Sequence, residues 1–287
     1  MRTEEILRKI DALPGMEDFK ALCHRLHTAS ENVNRLHLER APLPNLIFAA
    51  APGCGVTLHI RLLADLLQSL RLLQFTGEEA FFEWSLDDDE NAFNRFLLRV
   101  RRAAGFYGQF RGVIGLDLSR MLKNGDQLPD MDRLMEYIDA RQGKIVFVLI
   151  VPDSVPERTI MKLLGQFASS TPAELIRMPF PALEAKNYIV DRLRQRGFTL
   201  TDKACTMLEE AVERLSESRE FEGYQTLINL CDDIIWRRLS SEDMQDTSIT
   251  EDSLDFIFAA GGFGSQLRAN PTKTNPRRVG FGASMEE

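Results

Sequence analysis

The sequence predicts an α/β fold: a parallel sheet between two layers of helices, a three-layer sandwich, followed by a smaller all-helical domain. Three observations predict it. Short apolar runs of strand type alternate with helical patterns from about residue 45 to 180, the order expected of β-α-β units. One run, "KIVFVLIV" at 144–151, is apolar at every position after its lysine, as a strand covered on both faces must be. Beyond residue 180 the apolar spacing changes to a period near 3.6 residues, the signature of amphipathic helices.

The elements follow in order. "NLIFAA" (45–50), "AFFEWSL" (80–86), "GVIGLDL" (112–118), "KIVFVLIV" (144–151) and "ELIRMPF" (174–180) read as strands. Between them, Leu62, Leu63, Leu66, Leu67 and Leu70 mark one face of a helix. Phe93, Phe96, Leu97, Val100 and Arg101 suggest a second, and Leu134 to Ile138 lie in a third. After 180, "ALEAKNYIVDRLRQRGF" forms a helix stopped by Gly197. The next starts at a Thr201 or Asp202 cap and repeats Ala204, Met207, Leu208, Ala211, Val212 and Leu215. Another carries Leu227, Ile228, Cys231, Ile234 and Ile235, and a short "TEDSLDFIF" follows. Residues 261–287 are rich in Gly, Pro and Asn and read as a flexible tail. The expected domains are therefore 1–180, 181–260 and that tail.

Composition narrows the function classes. The chain has 287 residues, 44% hydrophobic and 27% charged, as in an ordinary globular protein. No apolar run approaches the roughly 18–20 residues that span a bilayer. The mixed-charge "MRTEEILRKI" is no signal peptide, so a cytoplasmic protein is expected. The net charge of −8 disfavours broad binding to nucleic acid or anionic membrane. Cys23, Cys54, Cys205 and Cys231 include no C-x-x-C pair, which suggests neither a disulfide framework nor a zinc ribbon. "CHRLH" puts Cys23 and His27 one helical turn apart, half of a metal site with no second half; no metal is expected.

Residues 45–67, "NLIFAAAPGCGVTLHIRLLADLL", have the outline of a phosphate-binding loop: strand, Gly/Pro turn, leucine-rich helix. A P-loop requires G-x-x-x-x-G-K-[ST]. Here the frame reads Ala50, Ala51, Pro52, Gly53, Cys54, Gly55, Val56, Thr57. The lysine is a valine and the first glycine an alanine.

The chain resembles the AAA+ ATPases, and most of all the branch containing red-type rubisco activase and stage V sporulation protein K, over about residues 8–258. "LPGMEDFKALCHRL" resembles the helix that leads into that branch's first strand, "APGCGVT" falls where its Walker A loop belongs, and "GVIGLDLSRML" resembles its Walker B segment. "MPFPALEAKNYIVDRLRQRGFTLTDKACTMLEEAV" resembles its last strand, Pro-containing joint and first two lid helices. The resemblance implies a P-loop-type sandwich with a helical lid, and nucleotide near Gly53, Gly55, Val56, Thr57 and Asp117. Thr57 matches the Mg²⁺-ligand position and Asp117 the Walker B metal position.

The departures from that family bear on activity. Val56 stands where the family's lysine reaches the phosphates; losing one charge-assisted hydrogen bond of roughly 1.5–3 kcal/mol weakens nucleotide binding by at least ~10–100-fold. Leu118 stands where the general base follows the Walker B acid, and cannot orient a water. "IVPDSV" offers only Asp153 or Ser154 as a polar sensor. "FASSTPAELIRMPF" lacks an arginine finger, Arg177 lying inside the expected strand, and "EFEGYQTL" offers Gln225 in place of the lid arginine. Four groups that touch the γ-phosphate or its water are absent together, which argues against hydrolysis. Two readings of the loop stay open: a vestigial site still binding ATP or ADP with Mg through backbone N–H groups, or a plain strand-to-helix turn with Val56 packed inward.

The resulting expectation is a pseudo-ATPase without cofactor, acting as an assembly, adaptor or regulatory subunit. Its partners would be proteins, either an active AAA+ paralogue or further copies of itself. The alternative is a divergent Mg·ATP-dependent remodelling ATPase. Among other features, "LDDDEN" (86–91) reads as a capping acidic run, and Phe93 as a helix-core residue or the aromatic of a pore loop. Arg277, Arg278 and Phe281 read as anchors of a docking tail or as part of a disordered end.

Overall fold

The computed structural model describes residues 2–39, 41–76, 79–87, 89, 91–105, 108–122, 131–168, 172–216, 218, 221–241 and 246–258. By contact the chain divides into two units, residues 1–51 with 55–179, and 52–54 with 180–287.

The first unit is an α/β sandwich. Its strands are β1 (Asn45–Ala50), β2 (Phe81–Ser85), β3 (Gly112–Asp117), β4 (Ile145–Pro152) and β5 (Ala173–Met178). Its helices are α1 (Thr3–Asp11), α2 (Glu17–Arg35), α3 (Val56–Ser69), α4 (Ala92–Ala104), α5 (Asp132–Asp139) and α6 (Glu157–Ala168). The sheet is wholly parallel, in the order β2-β3-β4-β1-β5. The central strands β1 and β3 are buried along their whole length, which is why they read as continuous apolar runs.

The chain's direction of travel sorts the helices. From β2 to β3, β4 and then β5 the chain steps one way across the sheet; from β1 to β2 it steps the other way. Parallel crossovers share one hand, so opposite directions put helices on opposite faces. The packing agrees. Phe96 of α4, Ile138 of α5 and Leu163 of α6 share a core with Ile47, Ile114, Leu116, Phe147 and Leu149. The alternate residues face α2 and α3: Phe19 meets Phe48 edge-on at 6.0 Å. A Cβ on Gly115 would lie 2.7 Å from Ile60 Cδ1, so a side chain there would push the tip of Ile60 aside. Full burial of rings such as Phe19, Phe48, Phe96 and Phe147 contributes about 1.5–3 kcal/mol each.

The second unit holds α7 (Ala182–Gln195), α8 (Asp202–Ser216), α9 (Tyr224–Leu239) and a 3-10 helix, Asp252–Ile257, around a core including Ile189, Leu208, Leu227 and Leu254. Gly197 ends α7 at φ +86°, and the Phe198 N–H returns to the Leu193 carbonyl at 3.1 Å. This six-to-one bond across a left-handed glycine is a Schellman stop. Thr201 is the α8 cap, its hydroxyl accepting the Ala204 N–H at 3.2 Å. One expectation needs correcting: the region is not purely helical. β6 (Thr199–Leu200) and β7 (Ser248–Ile249) pair in parallel. Two residues per strand are too few to show alternation, so the pattern had no way to reveal them.

Candidate functional site

The C-terminal edge of the sheet collects the candidate residues of the first unit. β1 and β4 are neighbours, yet α3 and α6, which follow them, lie on opposite faces. Such a switch point opens a crevice beyond the strand ends, where open α/β sheets bind ligands. Ala50 ends β1, Asp117 ends β3 and Pro152 ends β4. The Asp153 N–H donates to the Ala50 carbonyl at 3.2 Å, tying the ends of β4 and β1. The side chains of Asp153 and Ser154 are exposed. Asp117 is 7% exposed, and its Oδ1 accepts the Ser119 N–H at 2.9 Å, a local turn that fixes the carboxylate at the strand end. Leu118 is buried in the core.

α3 starts at this edge. Gly55, its N-cap, has φ +83° and makes no side-chain cap. Val56 is 7% exposed, packing inward, while Thr57 is exposed. Sequence reasoning passed over His59 in the same turn. Its Nδ1–H donates to the Gly55 carbonyl at 2.8 Å, and its ring meets Phe19 edge-on at 4.8 Å. Its Nε2 is buried with no hydrogen-bond partner among the described residues. Burial pushes the imidazole pKa below its usual value, only partly offset by the Gly55 carbonyl. The side chain is therefore a neutral core group. A histidine on a leucine-rich helix face was the available signal.

The tip of the loop, residues 52–54, groups with the second unit. The Tyr224 N–H donates to the Gly53 carbonyl at 3.2 Å. Gly53 and Gly223 have φ +68° and +58°. A Cβ on Gly53 would lie 1.9 Å from the Glu222 carbonyl oxygen, and one on Gly223 2.6 Å from the Pro52 carbonyl oxygen. Two backbones touch here with no side chain between them, a fit only glycine allows. Gly223 is the N-cap of α9, and the first-turn N–H groups of a helix are the donors that a phosphate would use. One of those donors is occupied by the loop's own carbonyl.

Aromatic rings line this junction. Phe180 meets Phe221 at 4.8 Å and Tyr224 at 5.4 Å, and Tyr188 meets Tyr224 at 4.9 Å. The Tyr224 hydroxyl is buried without a hydrogen-bond partner among the described residues. Burial first, then the neighbouring acidic groups Glu184, Tyr188 and Cys54, raise its pKa to about 12. Gln225 is exposed, its amide donating to Asn229 Oδ1 one turn along at 3.0 Å, so it is engaged along its own helix.

The remaining candidates separate from this edge. Phe93 packs in the α4–α5 aromatic cluster, 6.0 Å from Tyr137, beneath Arg133. Asp89 accepts the Asn91 N–H at 2.8 Å and pairs with Arg95, while Asn91, the N-cap of α4, makes no side-chain cap. Arg177 pairs with Glu157 at 2.7 Å. Cys23 is buried, its thiol pushed up to about 12 by burial, and His27 Nε2 lies 4.0 Å from Glu31. Arg277, Arg278 and Phe281 lie outside the described residues. Among the described residues no helix is long and apolar enough to cross a membrane.

Of the positions to which the AAA+ resemblance gives roles, Thr57 is exposed and Asp117 closes β3, while three others carry no matching group. The lysine position is an inward valine, the general-base position a buried leucine, and the lid position a glutamine bonded to its own helix.

Neither a protein-family model nor a curated protein matches the sequence. Among solved structures, the chain is similar to the Bacillus subtilis DNA clamp loader delta protein, with 17% identity and a TM-score of 0.30. The match covers 81% of this chain and 62% of that protein, so this chain spans under two thirds of its length. A likeness at that level carries no role across.

Proposed function

We propose that the chain is an AAA+-like pseudo-ATPase, a cytoplasmic assembly, adaptor or regulatory subunit that works through contacts with other protein subunits and needs no nucleotide. The observation that carries this reading is the state of the loop. Val56 is buried, and Gly53 gives its carbonyl to the Tyr224 N–H. A loop that serves a triphosphate turns N–H groups and a lysine toward it. The partner is an active AAA+ paralogue or further copies of this chain.

Thermal melting with and without millimolar Mg·ATP tests the reading. A ligand that binds only the native state stabilises it by RT ln(1 + [L]/Kd), about 2.7 kcal/mol at a hundredfold excess over Kd. The expected result is no shift and no phosphate release above buffer. Thr57 and Asp117 favour a second reading, a divergent Mg·ATP-dependent ATPase. A hydrolysis rate that Asp117→Ala abolishes would establish that enzyme and end the pseudo-ATPase reading.

A further inference from the structure

The first unit has a second concave feature, away from the strand ends. A cavity of about 240 Å³ lies between the C-terminal halves of α4 and α5, near the start of β4. Leu97, Val100 and Phe110 form its apolar wall; Arg101, Tyr137 and Arg141 form its polar side. Among the described residues no Asp or Glu lines it.

Two features distinguish the polar side. First, neither arginine forms an ion pair among the described residues, although Arg25, Arg95, Arg99, Arg120, Arg177 and Arg192 all pair with carboxylates. Second, Arg141 lies over the Tyr137 ring at 5.3 Å, and its Nε is buried with no hydrogen-bond partner among the described residues. A buried donor left unsatisfied is destabilising, so an acceptor placed there is favoured. Burial raises the Tyr137 hydroxyl pKa, and the charge and hydrogen bond of Arg141, with the charge of Arg101, oppose that rise, so both guanidiniums act on the hydroxyl.

The simplest alternative is that these arginines only offset helix ends. Arg101 sits in the last turn of α4, and Arg141 just beyond α5. Each helix C-terminus is equivalent to about −0.5 charge, so two guanidiniums still leave about one net positive charge at the cavity.

We propose that this cavity binds a small organic carboxylate. The headgroup lies between Arg101 and Arg141 and accepts a hydrogen bond from the Tyr137 hydroxyl; the apolar body rests on Leu97, Val100 and Phe110. Guanidinium forks match carboxylate geometry, and the apolar wall selects against a fully hydrated anion such as inorganic phosphate.

Calorimetric titration of the full chain with sodium hexanoate, 1-hexanol and inorganic phosphate tests this. Hexanoate is expected to saturate one site at millimolar concentration or below, with hexanol and phosphate at least about ten-fold weaker. Arg101→Gln, at an exposed position, is expected to weaken hexanoate at least about five-fold while lowering the melting temperature only slightly, through the lost charge at the end of α4. Arg141→Gln should do the same, and because it also removes the contact with Tyr137, its folding is checked by circular dichroism. Non-saturating hexanoate binding, equal binding of hexanol, or an Arg101→Gln variant that binds like the parent would each overturn the proposal.

Discussion

At the loop, Gly53 and His59 each give a measurable effect. Gly53 and Gly143 both have positive φ, +68° and +72°, but a Cβ on Gly53 meets the Glu222 carbonyl oxygen at 1.9 Å, whereas one on Gly143 meets nothing within 4 Å. Gly143→Ala should therefore cost only the left-handed backbone penalty, about 1–2 kcal/mol. Gly53→Ala adds a backbone collision and should cost clearly more, about 3 kcal/mol or above. Urea unfolding of the two variants side by side isolates the contact, and equal losses would show that the loop does not seat on Glu222. His59 gives a second measurable effect. Its folded pKa is lowered by burial, so folding favours the neutral ring. Above the unfolded pKa of about 6.5 both states are neutral and this part of the stability is intact. As pH falls below about 6.5 the unfolded chain takes up the proton first, and stability is lost at up to about 1.4 kcal/mol per pH unit until the folded pKa is reached. Urea midpoints between about pH 5 and pH 8 should show this slope, and His59→Leu should remove that part of it. An unchanged slope in the variant would mean that His59 is not buried neutral.

At the level of elements, legibility in the sequence followed the size of the physical signal. β1, β3 and β4 are buried on both faces, so their apolar runs stood out. α8 carries five buried residues at helical spacing and a capping hydroxyl on Thr201. That cap makes a prediction of its own: Thr201→Ala should lower stability by about 1 kcal/mol, while Thr201→Ser should hold it close to the parent. Equal loss in both variants would place the effect in the methyl group. α6 carries Thr159, Ile160, Leu163 and Phe167 buried, but lies between two strong strand signals and went unread. The two-residue β6–β7 pair had no periodic signal at all. For the candidate site the split is similar. The glycines and the missing lysine were legible, because turn chemistry and charge belong to residue type. The meeting of Gly53 with Gly223 was not, because it joins positions 170 apart in the sequence through backbone atoms alone. The edge-to-face contacts among Phe180, Tyr188, Phe221 and Tyr224 were hidden for the same reason: aromatic identity is visible in a sequence, but ring contact depends on the fold.

Across the whole molecule, topology and charge point in different directions. The β1–β4 switch point is where an open parallel sheet offers a ligand crevice, and a phosphate-bearing partner there would draw on helix N-termini and arginines. The net charge is −8, however, and many of the chain's arginines are already committed to carboxylates: Arg25 to Glu174, Arg95 to Asp87 and Asp89, Arg99 to Glu79, Arg120 to Asp87, Arg177 to Glu157, and Arg238 to Asp246. These pairs are largely exposed, and each is worth at most about 1 kcal/mol to the fold. Their collective effect is to reduce the basic charge free to meet a polyanion. A nucleic acid would have to displace these carboxylates and approach against the overall field. Binding to nucleic acid relies on neutralising phosphates and releasing counterions, with an affinity that falls steeply as salt rises. The expected outcome of an anisotropy titration with labelled single-stranded and duplex oligonucleotides is therefore no saturable binding at micromolar protein, at either low or physiological salt. Salt-dependent binding with a slope corresponding to several phosphate contacts would require a concentrated basic face. It would also replace the protein-contact reading of this chain with a nucleic-acid one.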